Sequence, residues 1–104
     1  MKILIQATDL ELTEPLKVYI EKKMSSLAKF LNEFEEDSIQ TKIEVARSTR
    51  HHRRGNVYHV DANLSFPGKL IRAEKDDIDV RAAVDAVKDK LQREIKRYKT
   101  KSDK

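Results

Sequence analysis

Apolar residues recur in this chain at two spacings, and the order of those spacings restricts the folds that it can adopt. Steps of three and four residues put one apolar stripe along a helix, whereas steps of two put one apolar face on a strand. The chain begins with a stretch whose apolar residues have strand spacing, and a stretch with helical spacing follows. Three further stretches have strand spacing, and the last stretch has helical spacing again. The pattern therefore predicts the element order β-α-β-β-β-α.

The first helical stretch begins at Thr13, whose hydroxyl suits a helix N-cap. Glu14 and Pro15 fall in the first turn, where an acid complements the helix dipole and proline loses no needed hydrogen bond. The apolar stripe predicts a helix of about five turns and consists of Leu16, Ile20, Met24, Leu27, Leu31 and Phe34. We expect the acidic segment 33–38 to end this helix.

The second helical stretch follows Asp76, Asp77 and Asp79, which place negative charge at a helix N-terminus. Its apolar stripe consists of Val80, Val84, Val87, Leu91, Ile95 and Tyr98. Tyr98, together with Tyr19 and Phe30 in the first helical stretch, falls on or near a buried helix face, so these rings are expected in the core.

Four stretches predict strands, at 2–7, 39–45, 58–66 and 70–75. The stretch 58–66 has the cleanest alternation of apolar and polar residues, which is typical of a half-buried strand. The polar segment 48–56 suits a hairpin loop. Pro67 and Gly68 fit the centre of a type II turn, in which glycine supplies the positive φ.

Because each helix has a single apolar stripe, both helices are expected to pack on one face of a four-stranded mixed sheet. The fold class is then α+β, a two-layer sandwich. The first two strands would be parallel and joined by a right-handed crossover, and the hairpin-connected strands would be antiparallel. We expect one domain at 1–99 and a short polar tail at 100–104.

Composition excludes several classes of site. The chain has no cysteine, so disulfides, thiolate metal sites and cysteine nucleophiles are absent, and a cytoplasmic location is expected. Two glycines cannot form a glycine-rich phosphate loop. No apolar run approaches the roughly 18 residues of a membrane span, and the N-terminus does not resemble a secretory signal.

The net charge of +4 is unevenly distributed, with 22 Lys and Arg against 18 Asp and Glu. On a helical wheel four cations of the second helix fall within roughly 80° of one another, namely Lys90, Arg93, Arg97 and Lys101. Another edge of that helix has Lys88, Lys96 and Lys99, and Lys22 and Lys29 lie seven positions apart in the first helix. If the helices are neighbours, their outer faces form one basic surface suited to phosphate oxygens. The alternative is an ordinary solvated helix face.

Residue types used in catalysis or metal binding occur without a convincing pattern. His51, His52 and His59 suggest a zinc site, but neighbouring side chains diverge and four nearby arginines would repel a cation. Ser48 and Ser65 have no evident triad partners. We therefore expect no enzyme activity, no cofactor and no metal.

Three segments resemble the family of ribosome hibernation-promoting factors and ribosome-associated inhibitors. LELTEPLKVYIEKKMSSLAKFL is similar to the first helix of that family. TRHHRRGNVYHVDANLSFPGKLIRAE is similar to its hairpin, including the Pro-Gly turn and the following Arg-Ala-Glu, and DDIDVRAAVDAVKDKLQREIKRYK is similar to its second helix. The likeness extends from about Lys2 to Lys99.

The resemblance implies the same β-α-β-β-β-α fold and a translation inhibitor of stationary phase or stress. Such a protein binds the small ribosomal subunit in the mRNA and tRNA channel near the decoding centre and contacts rRNA. The implied RNA contacts come from the helices, at Lys22, Lys23, Lys29, Lys90, Arg93, Lys96 and Arg97, with Arg53 and Arg54 of the loop less specific. The implied partner is the small subunit, with no membrane and no small-molecule substrate, and the free protein is expected to be a monomer.

The chain departs from the family pattern at two positions and in length. Arg81 stands where family members often have tyrosine, and Ser26 stands where they often have a base. The chain resembles the short forms, which lack the domain that pairs two ribosomes. Three other functions stay open from the residues alone: a double-stranded RNA-binding module, a protein–protein regulator or homodimer using the free sheet face, and a small hydrolase or metal protein using the histidines.

Overall fold

The computed structural model describes residues 1–48 and 57–102. Four strands and two α-helices occur in the predicted order, with two short 3₁₀ helices between α1 and β2. The elements are β1 (Lys2–Thr8), α1 (Glu14–Ser25), the 3₁₀ helices Ser26–Phe30 and Glu36–Ser38, β2 (Gln40–Ser48), β3 (Val57–Phe66), β4 (Lys69–Asp77) and α2 (Val80–Ser102).

The four strands form one mixed sheet in the order β1-β2-β3-β4. β1 and β2 are parallel, whereas β2 with β3 and β3 with β4 are antiparallel. Ile5, Ile43, Ala62 and Ala73 are register partners across all four strands. Since register partners share a face, this row lies on the core side, and the predicted α+β class is confirmed.

Both helices cover that face of the sheet and close a single core. Ile20 and Met24 of α1 and Leu91 and Ile95 of α2 are fully buried against the strands. The predicted stripes therefore identify the buried faces correctly. Within the described residues no helix lies against the opposite face of the sheet, which presents alternate polar residues of each strand.

The first helix is shorter than its apolar stripe predicts. Regular α-helix ends at Ser25 and tightens into the 3₁₀ helix Ser26–Phe30. The hydroxyls of Ser25 and Ser26 donate to the carbonyls of Lys22 and Lys23, three residues back. Such side-chain bonds compete with the α-helical ladder. Phe34 still reaches the core, with its ring centroid 5.2 Å from that of Phe66, but from outside any helix.

The second helix, α2, begins where the sequence predicts and extends further toward the C-terminus than expected. Asp79 accepts a hydrogen bond from the backbone N–H of Arg81, so it caps the first turn, and Asp77 accepts one from the N–H of Asp79. Asp76 and Asp77 are the last two residues of β4, and Asp76 makes no such cap contact with α2 among the described hydrogen bonds. The helix continues through Thr100 and Lys101 to Ser102, into the segment 100–104 that the sequence predicts as a polar tail.

The turn between β3 and β4 depends on Gly68, whose φ is +87°. This is the glycine position of the predicted type II turn. A Cβ added there would also lie 3.4 Å from the hydroxyl of Tyr98.

We expect Gly68→Ala to lower the free energy of unfolding by about 1 kcal/mol, because alanine is disfavoured at positive φ. Urea denaturation measures the change, and an unaltered midpoint would contradict this account of the turn.

Candidate nucleic-acid interface

Tyr19 joins the two helices at one end of their contact. Its hydroxyl donates to a carboxylate oxygen of Asp85 at 2.6 Å, and the amine of Lys23 lies 3.3 Å from the same oxygen. The hydrogen bond to Asp85, with burial and the Asp85 charge, raises the pKa of Tyr19 to about 12. Arg81 lies over the ring, with its guanidinium carbon 4.7 Å from the ring centroid, and the Lys23 amine lies 5.5 Å from it. One neutral ring therefore holds two cations from different helices.

Phe30 joins the helices at the other end. The amines of Lys29 and Lys96 lie 5.3 Å and 5.2 Å from its ring centroid. The amine of Lys99 donates to the carbonyl of Phe30 at 2.8 Å and lies 3.5 Å from a carboxylate oxygen of Glu33. Three amines thus converge on one residue at the end of the 3₁₀ helix.

Between these two ends the cations of α2 continue along the edge that faces α1. Residues 81, 88, 96 and 99 fall within roughly 80° on the wheel of α2, so they share this edge. At 1.5 Å per residue the edge extends over ~27 Å from Arg81 to Lys99. We call the set of cations on both sides of the helix contact the interhelical row: Lys23, Lys29, Arg81, Lys88, Lys96 and Lys99.

A second group of cations lies on the other flank of α2, above β4. The amine of Lys90 donates to the backbone carbonyl of Glu74 at 2.7 Å. Arg93 lines an open hollow between α2 and β4, beside Arg72. Arg97 lies 3.3 Å from a carboxylate oxygen of Glu94. On the helical wheel Lys101 falls beside these three cations. We call the set of four the β4-side row: Lys90, Arg93, Arg97 and Lys101.

The structure thus divides the predicted site residues between two rows. The interhelical row includes three of them, Lys23, Lys29 and Lys96, and the β4-side row includes Lys90, Arg93 and Arg97. Lys22 is exposed on α1, and the 3₁₀ turn, with 3.0 residues per turn, rotates Lys29 away from it. Arg53 and Arg54 lie outside the described residues.

Arg81, Lys88 and Lys99 are members of the interhelical row that the predicted site omits. The wheel of α2 already places them on one edge, so a signal for them exists in the sequence. Which edge faces α1 follows only from the contacts of Tyr19 and Phe30.

Ion pairing separates cations that are available to a ligand from those that are already neutralised. Lys23, Lys88, Arg97 and Lys99 each lie within 4.0 Å of a carboxylate oxygen. Within residues 1–48 and 57–102, Lys22 and the other members of the two rows have no such partner, and those members are Lys29, Arg81, Lys90, Arg93, Lys96 and Lys101. Apart from the Lys90 amine, which donates to the Glu74 carbonyl, and Arg81, which lies over the Tyr19 ring beside Asp85, these groups are free to contact an anion, and phosphate is the anion they suit.

The free face of the sheet has a different character. His59 on β3 has its Nδ1 2.5 Å from Asp76, while its Nε2 is 3.2 Å from Asp61 and 3.6 Å from Glu74. Arg72 lies 3.7 Å from Asp61. Across the described part of the chain, no three His, Asp or Glu side chains form a group able to hold a metal ion. His51 and His52 lie outside it.

The carboxylates around His59 predict that folding is more favourable in mild acid. The hydrogen bond to Asp76 and the charges of Asp76, Asp61 and Glu74 raise the pKa of His59 above 6.5, and burial opposes them. This contribution to stability is therefore complete below pH 6.5 and is lost as the pH rises through the folded-state pKa. We expect the urea midpoint to fall between pH 6 and 9, and to fall less in His59→Gln. Identical pH profiles of the two proteins would contradict this assignment.

No helix in the described ranges is long and apolar enough to cross a bilayer. A family model described as "Sigma 54 modulation protein / S30EA ribosomal protein" matches residues 3–103.

Curated relatives and a solved structure agree with that match. The chain is 31% identical over 97 residues to a ribosome hibernation promotion factor of Deinococcus radiodurans, covering 93% of this chain and 48% of the relative. It is 28% identical over 101 residues to a ribosome hibernation promoting factor of Pseudomonas putida, covering 97% and 89%. The chain thus spans about half the length of the first relative. The crystal structure of the Protein Y N-terminal domain of Thermus thermophilus superposes with a TM-score of 0.78 at 27% identity, covering 94% of this chain and 99% of that one.

Proposed function

The chain belongs to the Sigma 54 modulation protein / S30EA ribosomal protein family, and we propose that it is a ribosome hibernation factor. It binds the small ribosomal subunit in the mRNA and tRNA channel near the decoding centre, contacts the rRNA backbone and blocks translation. The names of the relatives support the ribosome as partner. The channel and the RNA contacts are part of the proposal.

The convergence of amines on Phe30 supports this function most directly. Lys29 and Lys96 come from different helices, lie over the same ring, and have no carboxylate within 4.0 Å among the described residues. Both amines are therefore available to phosphate oxygens at the line where the two helices meet. Neutralising RNA phosphates there would release condensed counterions from the RNA.

The proposed RNA contacts are divided by strength. Unpaired cations, with Lys29, Lys96 and Arg93 foremost, neutralise phosphates, and Lys22 extends the same surface. Lys23, Lys90 and Arg97 already have partners and contribute less. Residues 1–99 act as one ribosome-binding domain in the cytoplasm, without a cofactor or a catalytic step, and inhibition is steric.

A cell-free translation reaction tests this proposal. Purified protein is added in increasing amounts, and protein synthesis is followed together with sucrose-gradient profiles. We expect synthesis to stop at a dose that saturates the small subunits, with the protein sedimenting with those subunits and free RNA duplex competing poorly. Unchanged synthesis at saturating dose would overturn the proposal, and equal binding to free duplex would favour a general double-stranded RNA-binding module.

A further inference from the structure

Arg81 differs from the other unpaired cations of the helical side in its surroundings. We propose that the guanidinium of Arg81, supported by the ring of Tyr19, is a stacking platform for one unpaired base of the bound RNA. This inference rests on the proposed function, because the RNA is the one that the helical face binds. It adds a base-binding subsite to a surface otherwise suited to phosphate.

The platform is fixed from below. Tyr19 is held by its hydrogen bond to Asp85, and Asp85 is held in turn by Lys23. The guanidinium carbon of Arg81 lies 4.7 Å from the centre of that ring. An arginine that is already stacked loses less side-chain entropy when a ligand binds to it.

The outer side of the platform is open. Arg81 is exposed, and within residues 1–48 and 57–102 no carboxylate oxygen lies within 4.0 Å of it. The guanidinium carbon lies over the tyrosine ring, and the exposure of Arg81 leaves part of the group in contact with solvent. Guanidinium planes are among the surfaces on which proteins stack unpaired RNA bases.

The local charge favours a base over a phosphate. Two carboxylates belong to this cluster: Asp85 binds the Tyr19 hydroxyl, and Asp79 caps the turn that contains Arg81. They balance the charges of Arg81 and Lys23, so the cluster is close to neutral. A phosphate gains little there, whereas a neutral base gains its stacking contact. The pair Lys29 and Lys96 has the opposite character, since among the described residues no carboxylate oxygen lies within 4.0 Å of either amine.

Two substitutions of Arg81 separate stacking from charge. Arg81→Lys keeps the charge and removes the plane, and Arg81→Tyr keeps a plane and removes the charge. In filter binding to purified small ribosomal subunits at 0.15 M salt, we expect Arg81→Lys to weaken binding about tenfold, which lies toward the lower end of the range for one stacked base. Arg81→Tyr should stay within about threefold of the wild type by the same reasoning. Because Arg81 is exposed, both variants should fold, which thermal unfolding verifies.

Every other ranking of these variants contradicts the platform. Full affinity in Arg81→Lys with a loss in Arg81→Tyr would show a charge contact to phosphate. Equal losses would show hydrogen bonding that only guanidinium provides, and two unchanged affinities would show that the base does not bind there. If the Arg81 variants give any of these results while Lys29→Glu/Lys96→Glu still loses binding, the proposed function stands and only the platform is excluded. Failure of the wild-type protein to bind would overturn both.

Discussion

The double substitution Lys29→Glu/Lys96→Glu is expected to weaken binding to small ribosomal subunits by roughly a hundredfold at 0.15 M salt. Each phosphate contact that is lost removes about 0.9 from the slope of log K against log salt, which is roughly fivefold at this concentration. The new glutamates also repel the phosphates, and this repulsion weakens binding by a factor similar to that of one lost contact. The variant should remain folded, because Lys29 and Lys96 are exposed and their described contacts are with the Phe30 ring. Filter binding and inhibition of cell-free translation measure the loss.

The matched control is Lys2→Glu/Lys42→Glu, which makes the same change in net charge on the free face of the sheet. Both lysines are exposed there. We expect this variant to bind within about threefold of the wild type, since screening limits the effect of charges more than about 10 Å away. An equal loss in the two variants would mean that net charge, and not the arrangement of the helices, governs binding.

Truncation of Leu91 to alanine is expected to lower the free energy of unfolding by about 3 kcal/mol. Leu91 is fully buried at the middle of α2, and large-to-small changes at such positions cost about 2–5 kcal/mol through lost burial and the cavity left behind. For a domain of this size the melting temperature should fall by roughly 10–20 °C. Differential scanning calorimetry measures the change.

Leu70 provides the same substitution outside the core. It lies on the free face of the sheet and its side chain is 64% exposed. We expect Leu70→Ala to change the free energy of unfolding by less than about 0.5 kcal/mol. Similar effects at the two positions would contradict the assignment of Leu91 to the core between α2 and the sheet.

Much of this fold is predictable because periodicity reports burial directly. Every second residue from Val60 to Phe66 is buried, as the alternation indicates. The end of α1 is not predictable in this way, because the stripe continues to Phe34 although the α-helix stops at Ser25. The stripe records which residues reach the core, and local bonds of Ser25 and Ser26 decide the backbone between them.

The candidate site is only partly predictable because its partners are distant in sequence. The wheel of α2 groups its cations correctly, but it does not show which of them are neutralised. Lys99 pairs with Glu33 across 66 positions, and Tyr19 bonds Asp85 across the same separation. In the sequence the only acid close to His59 is Asp61, yet the register of β3 and β4 brings Asp76 opposite His59. These contacts require the packed structure.

The salt dependence of binding to isolated small ribosomal subunits tests the central claim most directly. The claim is that unpaired cations of both helices neutralise rRNA phosphates. Filter binding between 0.05 and 0.3 M potassium chloride gives the slope of log K against log salt. For the wild type the account predicts a slope steeper than about −3, reduced by about two units in Lys29→Glu/Lys96→Glu. A slope near zero, or one that the double substitution leaves unchanged, would contradict it.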